Sequence, residues 1–139
     1  MLQAFILNSI IIGICITIHY EVLNALAQFL PRIRHHRILI LVSVVGVMVA
    51  HVIEIWVFGS GFLLMVSSEG FGQLRGNINN TLLDCVYFSF TNYTTLGYGD
   101  IEPIGNIRFL AGLEALTGLV LITWSASFIF IEMQRYWRK

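Results

Sequence analysis

Charge is scarce in this chain of 139 residues, of which 12% are charged, with eight basic side chains balancing eight acidic ones. A nucleic-acid footprint needs a basic excess and an acidic tail needs the reverse, so the balance argues against both. Cysteine is scarce too. Cys15 and Cys85 each lie inside an apolar run, which argues against a disulfide scaffold or a zinc site and reads them as packing residues. With two prolines and no Ser/Gly-rich stretch there is no flexible linker, and the chain reads as one domain. No nucleotide-binding loop, nucleophile–His–Asp grouping or internal repeat occurs, so an enzyme is not expected.

What remains is apolar. Hydrophobic residues make up 57% of the chain and the mean hydropathy is +0.79, a membrane composition. A helix needs about 20 mostly apolar residues to cross the hydrocarbon. Three stretches meet that length: residues 4–30, 38–59 and 109–131, the last within an inner-helix segment 107–133. No Lys or Arg precedes Arg32, so the first stretch is expected to be a helix of the mature protein rather than a cleaved secretory signal. Arg32, Arg34 and Arg37 follow the first stretch, and Arg135, Arg138 and Lys139 follow the third, leaving only Arg75 and Arg108 elsewhere. The chain reads as a multi-pass plasma (inner) membrane protein, and the positive-inside rule predicts its N-terminus outside and its C-terminus cytoplasmic.

Between the second and third spans lie a polar outer loop, residues 60–80, and a short aromatic segment, residues 81–93, that is too short to cross. Thr81 and Asp84 read as a capping box that starts a helix, with the carboxylate at its positive end. From Thr94 the run Thr-Thr-Leu-Gly-Tyr-Gly-Asp cannot continue a helix well. An unpaired backbone inside a membrane is costly unless something occupies its carbonyls. If Gly97 and Gly99 let the dihedral sign alternate, the carbonyls of Thr95, Leu96, Gly97 and Tyr98 face one axis, with the Thr95 hydroxyl below them. Four copies around that axis would make a cage of stacked oxygen rings for a dehydrated cation.

Thr95-Leu96-Gly97-Tyr98-Gly99-Asp100 resembles the potassium-channel selectivity filter. The aromatic short helix before it, Pro103 after it, and the following span with Gly118 near its middle extend the likeness to the pore module of two-helix potassium channels. The first two spans look like those of small bacterial members with an extra N-terminal helix. The resemblance implies an all-α membrane fold: an extra helix and basic loop (residues 1–37), then a pore domain (38–139) with outer helix 38–59, outer loop 60–80, pore helix 81–93, filter 94–100 and inner helix 107–133. It also implies a homotetramer in the lipid bilayer that passes K⁺. The ion ligands would be Thr95, Leu96, Gly97, Tyr98 and Gly99, with Tyr98 packing outward as a strut, Asp100 behind the outer mouth and Gly118 as the inner-helix hinge. No organic cofactor and no nucleic-acid partner is implied. Two departures stand out. Leu96 replaces the commoner valine or isoleucine, and Thr91 stands where some members carry a glutamate that braces the filter aspartate, so Tyr87 or another nearby donor is expected to substitute.

Leu119, Ile122 and Ala126, spaced three and four residues apart beyond Gly118, are candidate gate positions or packing residues. Counting from the predicted helix ends puts His51, Glu54 and Glu114 in the outer half of the membrane and His19 and Glu21 towards the cytoplasmic side. Ionisable groups within spans are functional candidates by default. His51, Glu54 and Glu114 read as hydrogen-bond partners of the short helix, as a proton sensor, or as a metal site. Eight residues follow Ile131, so no cytoplasmic ligand-binding domain is expected, and the lack of an arginine series argues against a voltage sensor. The alternatives to a potassium channel are a weakly selective cation channel and a non-conducting scaffold or regulatory subunit with a vestigial pore loop.

Overall fold

A computed structural model describes residues 2–137; Met1 and the basic residues Arg138 and Lys139 lie outside the described residues. Three helices have the length and hydropathy of membrane spans. Helix α1 (Leu2–Phe29) runs into a 3₁₀ turn (Leu30–Arg32), where Pro31 suits the first turn of a helix but could not extend α1. Helix α2 (His36–Val66) follows, then strand β1 (Gln73–Gly76), the short helix α3 (Leu82–Tyr93), strand β2 (Ile101–Ile104) and helix α4 (Ile107–Trp137).

Each long helix buries one stripe. On α1 the buried residues are Ala4, Asn8, Ile11, Cys15, His19 and Leu23, a spacing of three and four that puts them on one face. That face packs antiparallel on α2: a Cβ on Gly61 would lie 2.6 Å from Ile11 Cδ1, one on Gly46 would lie 2.8 Å from Leu26 Cδ2, and between them His19 meets Glu54. Helix α3 lies against α2, with Gly59 under Val86 and the Phe62 and Phe88 rings edge to face at 4.9 Å. The core gathers Phe58, Phe62, Met65, Cys85, Tyr93, Ile107 and Leu110 around α3.

Two helix ends and the outer loop differ from the sequence expectation. Helix α2 does not stop at residue 59. It continues to Val66, because Gly59 and Gly61 are contact points against α3 and α1 rather than a terminus. Helix α4 extends past 133 to Trp137. The outer loop is partly ordered as a two-stranded antiparallel ribbon in which Gln73 opposes Ile104 and Gly76 opposes Ile101. This ribbon had no alternating pattern to reveal it. It depends on Gly72 and Gly76, both at positive φ, where a side chain would collide with the carbonyls of Ile104 and Asp100.

Candidate functional site

Helix α3 begins with the capping box expected of it. Thr81 Oγ1 accepts from the Asp84 amide at 3.2 Å, and Asp84 Oδ2 accepts from the Thr81 and Asn79 amides at 3.1 and 3.0 Å. The bonds from the Thr81 hydroxyl and amide hold the Asp84 carboxyl below the usual carboxylate range. At its other end the helix closes with Thr94 Oγ1 donating to Phe90 O, and the Thr95 and Gly97 amides fold back to Asn92 O and Thr91 O.

The loop that follows, residues 94–100, has Thr95, Gly97 and Gly99 at φ of 59°, 55° and 77°, while Leu96 and Tyr98 between them are not at positive φ. The sign therefore alternates residue by residue, and it does so at a threonine as well as at the two glycines. A non-glycine residue there carries strain that the surrounding structure must hold. Thr94 through Asp100 are all exposed in the single chain, with Leu96 and Tyr98 about two-thirds so (62% and 67%). Two ties anchor the loop's far end. The Tyr87 hydroxyl donates to Asp100 Oδ2 at 2.9 Å, and Asp100 O accepts from the Asn77 amide. The first of these raises the Tyr87 hydroxyl's pKa. Thr91 does not meet Asp100, since its own hydroxyl turns back to Phe88 O.

On α4, Gly118 packs directly beneath Tyr93, so close that a Cβ would collide with the Tyr93 carbonyl oxygen. Its place is a close contact at the end of α3, whatever bending it permits. Leu119, Ile122 and Ala126 lie on the exposed side of α4, opposite the buried stripe of Leu110, Glu114, Thr117, Leu121 and Ser125.

Two polar clusters stand behind α3. In the first, the Ser89 hydroxyl sits between Ile55 O and Glu114 Oε1, and Asn92 Nδ2 donates to Ala111 O at 2.7 Å and Glu114 Oε2 at 2.6 Å. In the second, His19 Nδ1 lies 2.9 Å from Glu54 Oε1, and His51 Nδ1 lies 3.2 Å from Glu54 Oε2. The Tyr93 hydroxyl is 2.5 Å from Glu54 Oε2 and 2.9 Å from His51 Nδ1. His19 Nε2 reaches Ser125 Oγ of α4 at 3.2 Å.

His51, Glu54 and Glu114 all bond to residues of α3, the first two to Tyr93 and the third to Ser89 and Asn92. They do not form one cluster that could hold a metal: Glu114 stands apart, and the third member of the His51–Glu54 cluster is His19. With α2 ending at Val66, Glu54 lies about 18 Å along the axis from that end, level with His19. Glu21, between the buried His19 and Leu23 in sequence but off their face, is exposed. Ser89, Asn92, Tyr93 and Ser125 were not singled out from the sequence; the signal for the first two was a polar pair three apart on the short helix.

A family model described as an ion channel matches residues 37–135. The match covers α2, α3, the 94–100 loop and α4, which is most of the chain, and leaves α1 outside. The protein belongs to this two-helix ion-channel family. Its apolar helices and that membership make it a multi-pass membrane protein involved in ion transport. No curated protein and no solved structure matches the chain.

Proposed function

We propose that the chain is the subunit of a homotetrameric potassium-selective channel that conducts K⁺ passively. The observation that carries this reading is the 94–100 loop. A capped helix too short to cross a membrane delivers a Thr-Leu-Gly-Tyr-Gly-Asp backbone whose φ alternates in sign and which is exposed in one chain. A backbone so placed needs occupants, and four copies facing one axis supply eight oxygens between adjacent levels. Thr95, Leu96, Gly97, Tyr98 and Gly99 form the ion path, and Asp100 is braced from behind by Tyr87. Repulsion between ions in adjacent sites keeps binding from becoming a trap. Leu119, Ile122 and Ala126, on the face of α4 left free by packing within the chain, line the cavity below. The basic residues at the α1–α2 turn and after α4 support an orientation with those ends in the cytoplasm.

The test is ion flux from purified protein in liposomes under imposed K⁺ and Na⁺ gradients. Ba²⁺-sensitive K⁺ flux with little Na⁺ flux is expected. Equal fluxes of the two ions would overturn the selectivity, and no flux from protein shown to be monomeric would overturn the channel.

A further inference from the structure

We propose that His19, Glu54 and His51 form a binding site for a divalent transition metal ion, zinc being the best fit, which clamps α1 and α2 behind the C-terminal end of α3. One donor atom from each of the three residues lies within 4.8 Å of the others. Both histidines turn the same nitrogen, Nδ1, toward the carboxylate, at 2.9 and 3.2 Å. Tetrahedral ligands at zinc stand about 3.4 Å apart, so side-chain shifts of about an ångström close the set around an ion.

The donor chemistry is specific. Two imidazoles and one carboxylate suit zinc and its first-row neighbours and suit K⁺ poorly, because imidazole nitrogen prefers borderline ions. A fourth donor, an oxygen, is in place, since the Tyr93 hydroxyl lies within 2.9 Å of both His51 Nδ1 and Glu54 Oε2. Metal-ligating histidines hold their second nitrogen in a hydrogen bond that fixes ring and tautomer, and His19 Nε2 has that partner in Ser125. Trp124 packs on the His19 ring at 5.3 Å. His19 and Glu54 are fully buried and the His51 side chain keeps 16% of its surface. Among the described residues no Lys or Arg pairs with Glu54, so no fixed positive side chain competes for the carboxylate. The three ligands come from two helices, one of them outside the ion-channel family match, so the extra helix completes a site that the pore module alone lacks.

The experiment uses the full chain, purified in detergent, freed of any affinity tag and stripped with a chelator. Addition of Co²⁺ is expected to give the visible absorption of a four- or five-coordinate site, titrating at one ion per chain and displaced by Zn²⁺. X-ray absorption of the zinc form should show nitrogen and oxygen neighbours including imidazole. Ser125→Ala should weaken zinc binding about 10- to 100-fold, and His19→Gln and His51→Gln by more, while a His35→Gln/His36→Gln double variant keeps the wild-type affinity. A wild-type protein with no such band, a sulfur neighbour in the zinc spectrum, or a band lost in the His35/His36 variant would overturn the site. The spectra of the wild type decide the matter even if a ligand variant fails to fold. Potassium flux is a separate readout, so the channel reading survives or fails independently.

Discussion

On the side of α3 that faces the rest of the chain, Ser89, Asn92 and Tyr93 each find hydrogen-bond partners on α2 or α4, all within the same polypeptide. The loop that leaves the same helix is exposed from Thr94 to Asp100 and is tied down chiefly at its two ends. Buried polar groups without partners are costly, so the closed side is satisfied locally. The open side carries left-handed backbone at Thr95, Gly97 and Gly99 and two large exposed side chains, which in the proposed tetramer would face neighbouring subunits and ions. On the proposed reading, stability and function are divided between two sides of one twelve-residue helix.

Changes confined to the open side should separate the two. Gly97→Ala adds a methyl that meets nothing within 4 Å in the single chain, but at φ 55° it costs about 1–2 kcal/mol in each subunit and disfavours the alternating backbone. Liposome K⁺ flux should fall below detection while membrane insertion and helix content stay at wild-type levels. Undiminished flux would remove the loop from the ion path.

On the closed side the expected effect is smaller and falls on stability. Gly118→Ala drives a methyl into the Tyr93 carbonyl, an overpacking that costs about 1–3 kcal/mol. Gly112→Ala, on the same helix with open space around it, should cost nothing and gain slightly from helix propensity. Thermal denaturation in detergent is expected to rank Gly118→Ala below wild type and Gly112→Ala at or above it. Equal behaviour of the two variants would mean that Gly118 serves only as a flexible joint.

The weakest handle is the cap that starts α3. Because the Asp84 carboxyl sits below its unfolded value, its contribution is present above the ordinary carboxylate pKa and is lost as pH falls through the lowered one. Asp84 is exposed, so solvent screens the effect. The difference in melting temperature between wild type and Asp84→Asn should therefore be small at neutral pH and vanish in acid. A difference that grows on acidification would contradict the cap.

Much of this was legible locally. The capping box at Thr81 and Asp84, the loop that follows and the three apolar spans are patterns within a few turns of chain, and each sits close to where the sequence puts it. The grouping of the buried ionisable residues was not. His51 and Glu54 are three residues apart and had to share a face, but His19 stands 35 residues before Glu54 and Glu114 stands 60 after it. Which of these meets Glu54 depends on the stagger and rotation of α1 and α4 against α2.

By itself, then, the sequence determined the membrane class, the number of spans, the start of α3 and the composition of the loop, because hydropathy, capping and glycine placement act over short distances. Only the tertiary structure decided that α2 runs on past Gly59, that the outer segment folds into a ribbon, that Gly118 lies under Tyr93, and that His19 rather than Glu114 joins His51 and Glu54. Those outcomes rest on how helices slide and turn to fill one another's grooves, and a one-turn shift along a helix moves a side chain by about 5.4 Å, enough to exchange one buried partner for another.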